Sequence, residues 1–180
     1  MFSKTDFENV IWDFLFTYRQ FLLNGYLHKK VNHDAYEANP ATWNTLLLSL
    51  ESGFLLGLAK LLERKGDLGR PFDNFTEKTF DNKEFDSKEL NDTASKILKL
   101  RHAYIAHADL SKMRNTDSFL TENRLNGTEG VKMFDALKSR LIQYQKNLKL
   151  DIDVQNLFTQ SQNNALHDLD NWLRSFKTEL

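Results

Sequence analysis

Leu46-Leu47-Leu48-Ser49-Leu50-Glu51-Ser52-Gly53-Phe54-Leu55-Leu56-Gly57-Leu58-Ala59-Lys60-Leu61-Leu62 is the most apolar run of the chain, and how it is read decides the fold class. Leu47, Leu50, Phe54, Leu58 and Leu61 recur at the three-and-four spacing that places them on one helical face. Pro40 lies just ahead, so the helix should open near Thr42, and Gly66 should end it. Glu51 and Lys60 interrupt the run and leave it short of the ~20 apolar residues a bilayer span needs, which makes it a core helix. Beside the stripe, Ser49, Gly53 and Gly57 recur every fourth residue. An interior glycine costs about 1 kcal/mol relative to alanine, so a row of small residues predicts a tight crossing with another helix.

Upstream, from about residue 6 to 27, Phe7, Ile11, Phe14, Tyr18, Phe21 or Leu22, and Gly25 form a second stripe, with Asp6 as its expected N-cap. The two helices should pair as an antiparallel hairpin. From 65 to 86 periodicity is lost at Gly66, Gly69 and Pro71, although Phe72, Phe75, Phe80 and Phe85 predict a loop that packs down. A third helix should start near Ser87 and carry Leu90, Ala94, Ile97 and Leu98 on to about residue 108. After a polar stretch from 111 to 128 comes a fourth, marked by Val131, Phe134, Leu137, Leu141, Tyr144 and Leu148. The last, from about 159 to 178, carries Leu166, Leu169, Trp172 or Leu173, and Phe176. No segment alternates like a strand. The fold class expected is all-α, an antiparallel bundle of about five helices forming one domain over 1–180.

A formal net charge of −1 argues against a protein-wide basic field, so a polyanion would have to be met by a local patch. The absence of cysteine excludes disulfides, thiolate zinc sites and a cysteine nucleophile, and accords with a reducing cytoplasm. The N-terminal residues lack the basic and apolar regions of a secretory signal, so a cytoplasmic location away from membranes is expected. His28 and His33 stand near Asp34 and Glu37, but in a segment read as a solvated loop rather than a metal site. Asp73, Asp81 and Asp86 are too irregular for a calcium loop, and His167 sits on a polar face. No Walker pattern or nucleophile elbow occurs, and no cofactor is expected.

One position breaks the pattern. The third stripe runs Leu90, Ala94, Ile97, then 101, then Tyr104 and Ala108, and residue 101 is an arginine. A guanidinium there must reach water, a carboxylate such as Asp13 or Glu51, or a bound anion, because an unpaired buried charge costs several kcal/mol. His102 follows at once and His107 stands six residues on. Six residues are about 9 Å of rise and 240° of turn, so Arg101 and His107 cannot face one small ligand from a straight helix. Either the helix distorts, or two copies meet across a two-fold axis and share a cleft. Against this, a histidine near a helix C-terminus is favoured by the dipole, and His107 with Asp109 also fits a simple cap.

Leu100-Arg101-His102-Ala103-Tyr104-Ile105-Ala106-His107-Ala108-Asp109 resembles the arginine, four-to-six residues, histidine motif of the HEPN superfamily, and its Ile-Ala-His-x-Asp ending is similar to the abortive-infection protein U-like branch. The likeness in helical order reaches about residue 110; beyond it the match is to helices in general. The resemblance implies a domain that dimerises through the motif helices, many members being metal-independent endoribonucleases of defence or toxin systems, with a nucleotidyltransferase-type antitoxin as a natural partner. RNA supplies its own nucleophile, so imidazole and guanidinium suffice for cleavage to a 2′,3′-cyclic phosphate. On this reading His107 is the general acid or base, Arg101 holds the phosphate, and His102 orients Arg101 or shares proton transfer. Lys96, Lys99, Lys112 and Arg114 would track the RNA backbone together with basic residues of the fourth helix, Lys132, Lys138, Arg140, Lys146 and Lys149, while Tyr104 would stack on a base. The alternatives are a non-catalytic helical module that dimerises and binds RNA, a nucleotide or a protein, and a plain scaffold.

Overall fold

A computed structural model describes residues 4–30, 33–62, 87–102 and 123–177. Six helices are described: α1 (Lys4–Lys30), α2 (His33–Ala38), α3 (Pro40–Leu62), α4 (Lys88–Leu100), α5 (Gly127–Asn147) and α6 (Val154–Lys177), with no strand among the described residues. The chain is all-α, as its periodicity requires.

α1 is the spine, packing against α3, α5 and α6. Phe7, Val10, Ile11, Phe14, Leu15, Thr17 and Leu27 are buried on it, a wider arc than one stripe, because three neighbours cover it. Tyr18 and Phe21 pack at the margin of the core, while Gly25 is exposed. Asp6 is no N-cap; the helix already begins at Lys4, and Asp6 lies in its first turn, where a carboxylate favours the dipole.

α1 and α3 form the expected antiparallel hairpin. Asp13 meets Lys60 at 2.6 Å, Thr17 lies against Gly57, Gln20 against Gly53, and Asn24 Nδ2 donates to the Leu47 carbonyl at 3.0 Å. A Cβ at Gly57 would overlap Thr17, and one at Gly53 would overlap the Gln20 carboxamide. The tight crossing predicted from the small residues is therefore made by α1. Burial on α3 is concentrated in its second half, at Phe54, Leu55, Leu58, Ala59 and Leu61, whereas Leu47 and Leu50 are only partly covered. By length and composition α3 is apolar enough to cross a membrane, contrary to the sequence count; here it packs against α1 and α4.

Between them lies a short helix where a loop was expected, because Asn39 N–H closes onto the Tyr36 carbonyl at 3.1 Å and the next turn starts at Pro40. A helix this brief shows no apolar period. The phenylalanine-bearing stretch from 65 to 86 lies outside the described residues.

α5 runs antiparallel to both α1 and α4. Phe134 packs edge-on to Phe14, with ring centroids 5.7 Å apart, and beside Tyr18 and Phe21. Gly130 admits the Phe21 ring, which a side chain there would displace. Val131 and Leu148, expected on the buried stripe, are exposed; Met133 takes the inward position. α6 departs from the antiparallel expectation. Phe14 meets Phe158 at 4.8 Å, Arg19 meets Ser161 and Tyr26 meets Asp170, so α1 and α6 run parallel. α6 also opens at Val154, ahead of the expected residue 159, after Asp153 accepts from the Asn156 N–H at 2.9 Å. Leu169 is buried there, Leu166 is partly covered and Trp172 is exposed.

Candidate functional site

α4 is set by its first turn. The Ser87 hydroxyl caps it by accepting from Leu90 N–H at 3.1 Å, and Thr93 Oγ1 donates back to the Glu89 carbonyl at 2.9 Å. Thr93, Ile97 and Leu100 are the buried residues, so the inward line runs 93, 97, 100. Leu90, Ala94 and Arg101 sit on its flank, half-buried. The sequence stripe was therefore rotated by part of a turn, and Arg101 occupies a rim rather than the centre of the core.

At Arg101 the backbone is still right-handed helical (φ −60°, ψ −52°), and its N–H is shared between the Ile97 and Leu98 carbonyls. Arg101 and His102 themselves take a wider, π-type conformation. There the Arg101 Nη1 approaches Nε2 of exposed His102 at 3.4 Å. A guanidinium has donors only, so the contact is a hydrogen bond when Nε2 carries no proton and the ring is neutral with its proton on Nδ1. Asp13, one carboxylate considered for Arg101, is instead paired with Lys60.

The basic residues assigned to a phosphate backbone are less available than their number suggests. Lys96 Nζ lies 2.5 Å from Glu129 Oε1, and Lys132 Nζ lies 2.7 Å from Glu89 Oε1, two ion pairs that clamp α4 against α5. The Lys138 ammonium stands over the Phe158 ring at 5.3 Å. Lys99 is exposed. Tyr104, His107, Lys112 and Arg114 lie outside the described residues, as does the rest of the expected third helix. Among the described residues no three metal-binding side chains cluster.

The residue that the sequence reading passed over is Glu129. It closes a capping box on α5, accepting from Asn126 N–H at 3.0 Å while Asn126 Oδ1 accepts from Glu129 N–H at 2.8 Å, and its other oxygen takes Lys96. Burial pushes its carboxyl up, but the Lys96 ammonium and the Asn126 N–H outweigh burial and hold it below the ordinary value of 4.5. The Asn126-x-x-Glu129 spacing was the available signal.

The chain matches no family model, no curated protein and no solved structure.

Proposed function

We propose that the chain is a metal-independent endoribonuclease of the HEPN type, in which Arg101 and His107 from two copies face a shared cleft. The observation that carries this reading is a half-buried guanidinium at the C-terminal end of α4, resting on a neighbouring imidazole and flanking an otherwise apolar line. Arg101 would grip the scissile phosphate through its guanidinium N–H groups and stabilise the charge that builds on it. His107 would take the 2′-hydroxyl proton, or return one to the leaving 5′-oxygen, as the 2′-oxygen bonds to phosphorus and the P–O5′ bond breaks. His102, an acceptor for Arg101, acts as a positioning residue. A nucleotidyltransferase-type antitoxin and a defence role follow by analogy with the family alone.

A non-catalytic reading, a helical module that dimerises and binds a nucleotide or a protein, draws on a separate observation. With Lys96 and Lys132 neutralised by Glu129 and Glu89, the α4–α5 face offers an RNA backbone less positive charge than the sequence implied. Incubating the protein with a mixed RNA pool in EDTA and analysing fragment ends separates the two. The endoribonuclease should leave 2′,3′-cyclic phosphates. His107→Ala should lower the rate about a hundredfold or more while sparing RNA binding, and Arg101→Ala should weaken both. Absence of cleavage by the wild type would select the non-catalytic module.

A further inference from the structure

A second site, made by α1 and α6 and including no residue of α4, carries its own ligand chemistry. Between these parallel helices lies a cavity of about 440 Å³ lined by Arg19, Leu23, Asn164, Asp168, Leu169 and Trp172. That volume lies within the range of about 300–1,000 Å³ usual for small-molecule sites.

One of its polar groups is held in place without being used up. Arg19 is half-buried, and its Nε donates to Oγ of buried Ser161 at 2.6 Å, so a neutral hydroxyl anchors the guanidinium. The four other N–H donors of that fork are left to outside partners. Asp168 lines the same cavity without pairing with Arg19, and neither Asp168 nor Asn164 has an intramolecular polar partner within the described residues. The apolar part is equally fixed. Trp172, 43% exposed, is braced edge-on by Trp43 at 6.4 Å, and the Tyr26 hydroxyl donates to Asp170, tying this end of α6 to α1.

We propose that this groove binds a zwitterionic α-amino acid with an aromatic or branched apolar side chain. Arg19 takes the carboxylate, Asp168 and Asn164 take the ammonium, and Trp172, Leu23 and Leu169 hold the side chain. Charge selects this class. A simple phosphate would meet repulsion from Asp168, a simple cation would meet repulsion from Arg19, and only a ligand bearing both signs answers both groups.

Isothermal titration of the full chain with L-phenylalanine and L-leucine tests the proposal, with N-acetyl-phenylalanine, phenylalanine methyl ester and inorganic phosphate as comparisons. Saturable binding of the free amino acids is expected, with each blocked form at least about tenfold weaker. Arg19→Gln and Asp168→Asn should each raise Kd about 10- to 100-fold. Asp168 is exposed and unpartnered, so Asp168→Asn reports on the site even should Arg19→Gln fail to fold. No binding of either free amino acid at millimolar concentration would overturn the assignment. So would equal affinity for the N-acetyl form, tighter binding of phosphate, or wild-type affinity in Asp168→Asn.

Discussion

At the scale of single residues, Glu129 couples three backbone and side-chain partners, and its titration should be visible in the stability of the whole protein. Its folded carboxyl sits below the ordinary value, so as pH falls the unfolded chain takes up the proton first. The stabilisation is complete above the usual carboxylate range and disappears as pH drops through the folded pKa. Glu129→Gln should therefore lower stability by about 1–2 kcal/mol at neutral pH and flatten the acid side of a Tm-against-pH profile. Lys149 offers the opposite kind of change. It ends α5 with φ 50°, in a cap where Leu150 N–H reaches the Gln145 carbonyl at 3.0 Å. Glycine adopts that conformation without a Cβ penalty, so Lys149→Gly should raise stability by up to about 1 kcal/mol in urea titrations. Arg101 shows how far a sequence reaches at this scale. Its oddity on the stripe was legible, but the offset that moved it to the rim was not, because Ile97 and Leu100 decide the inward direction through packing.

Among helices, the α1–α3 crossing is the clearest case of sequence dictating contact. Gly57→Ala would press a methyl into Thr17 and should cost about 1–3 kcal/mol by thermal or urea unfolding. Thr17→Ala in the same background should recover part of that loss, since two of the three overlapping atoms go with it. The crossing also leaves Gln20 Oε1 buried without a hydrogen bond, a penalty of about 1–3 kcal/mol. Five helices, α1, α3, α4, α5 and α6, and the α1–α3 pairing could be read from three-and-four spacing, with the start of α6 moved forward by the Asp153 cap. α2 escaped because six residues are too few for a period. The parallel run of α1 with α6 escaped because apolar stripes do not encode which end of a helix meets which. Arg19–Ser161 and Phe14–Phe158 fix it only in three dimensions. The same limit hid the α1–α6 groove.

For the molecule as a whole, one core draws on α1, α3, α4, α5 and α6, and within it the rings of Phe14, Phe134 and Phe158, with Tyr18 and Phe21 at its margin, join α1, α5 and α6. If two copies share the Arg101 cleft, RNA cleavage per chain should fall on dilution in step with the dimer fraction seen by sedimentation; activity unchanged in isolated monomers would refute the shared cleft. The centrality of α1 also has a consequence during synthesis. Its first long partner, α3, follows within a few dozen residues, but Arg19 waits for a serine 142 positions later. At roughly 5–20 residues per second, the ribosome needs about 7–28 s to deliver it. Throughout that interval the flank of α1 destined for α6, including Phe14, is open to any passing apolar surface. The α1–α3 hairpin is thus the piece that chaperones would meet in the nascent chain before α6 arrives to lock it.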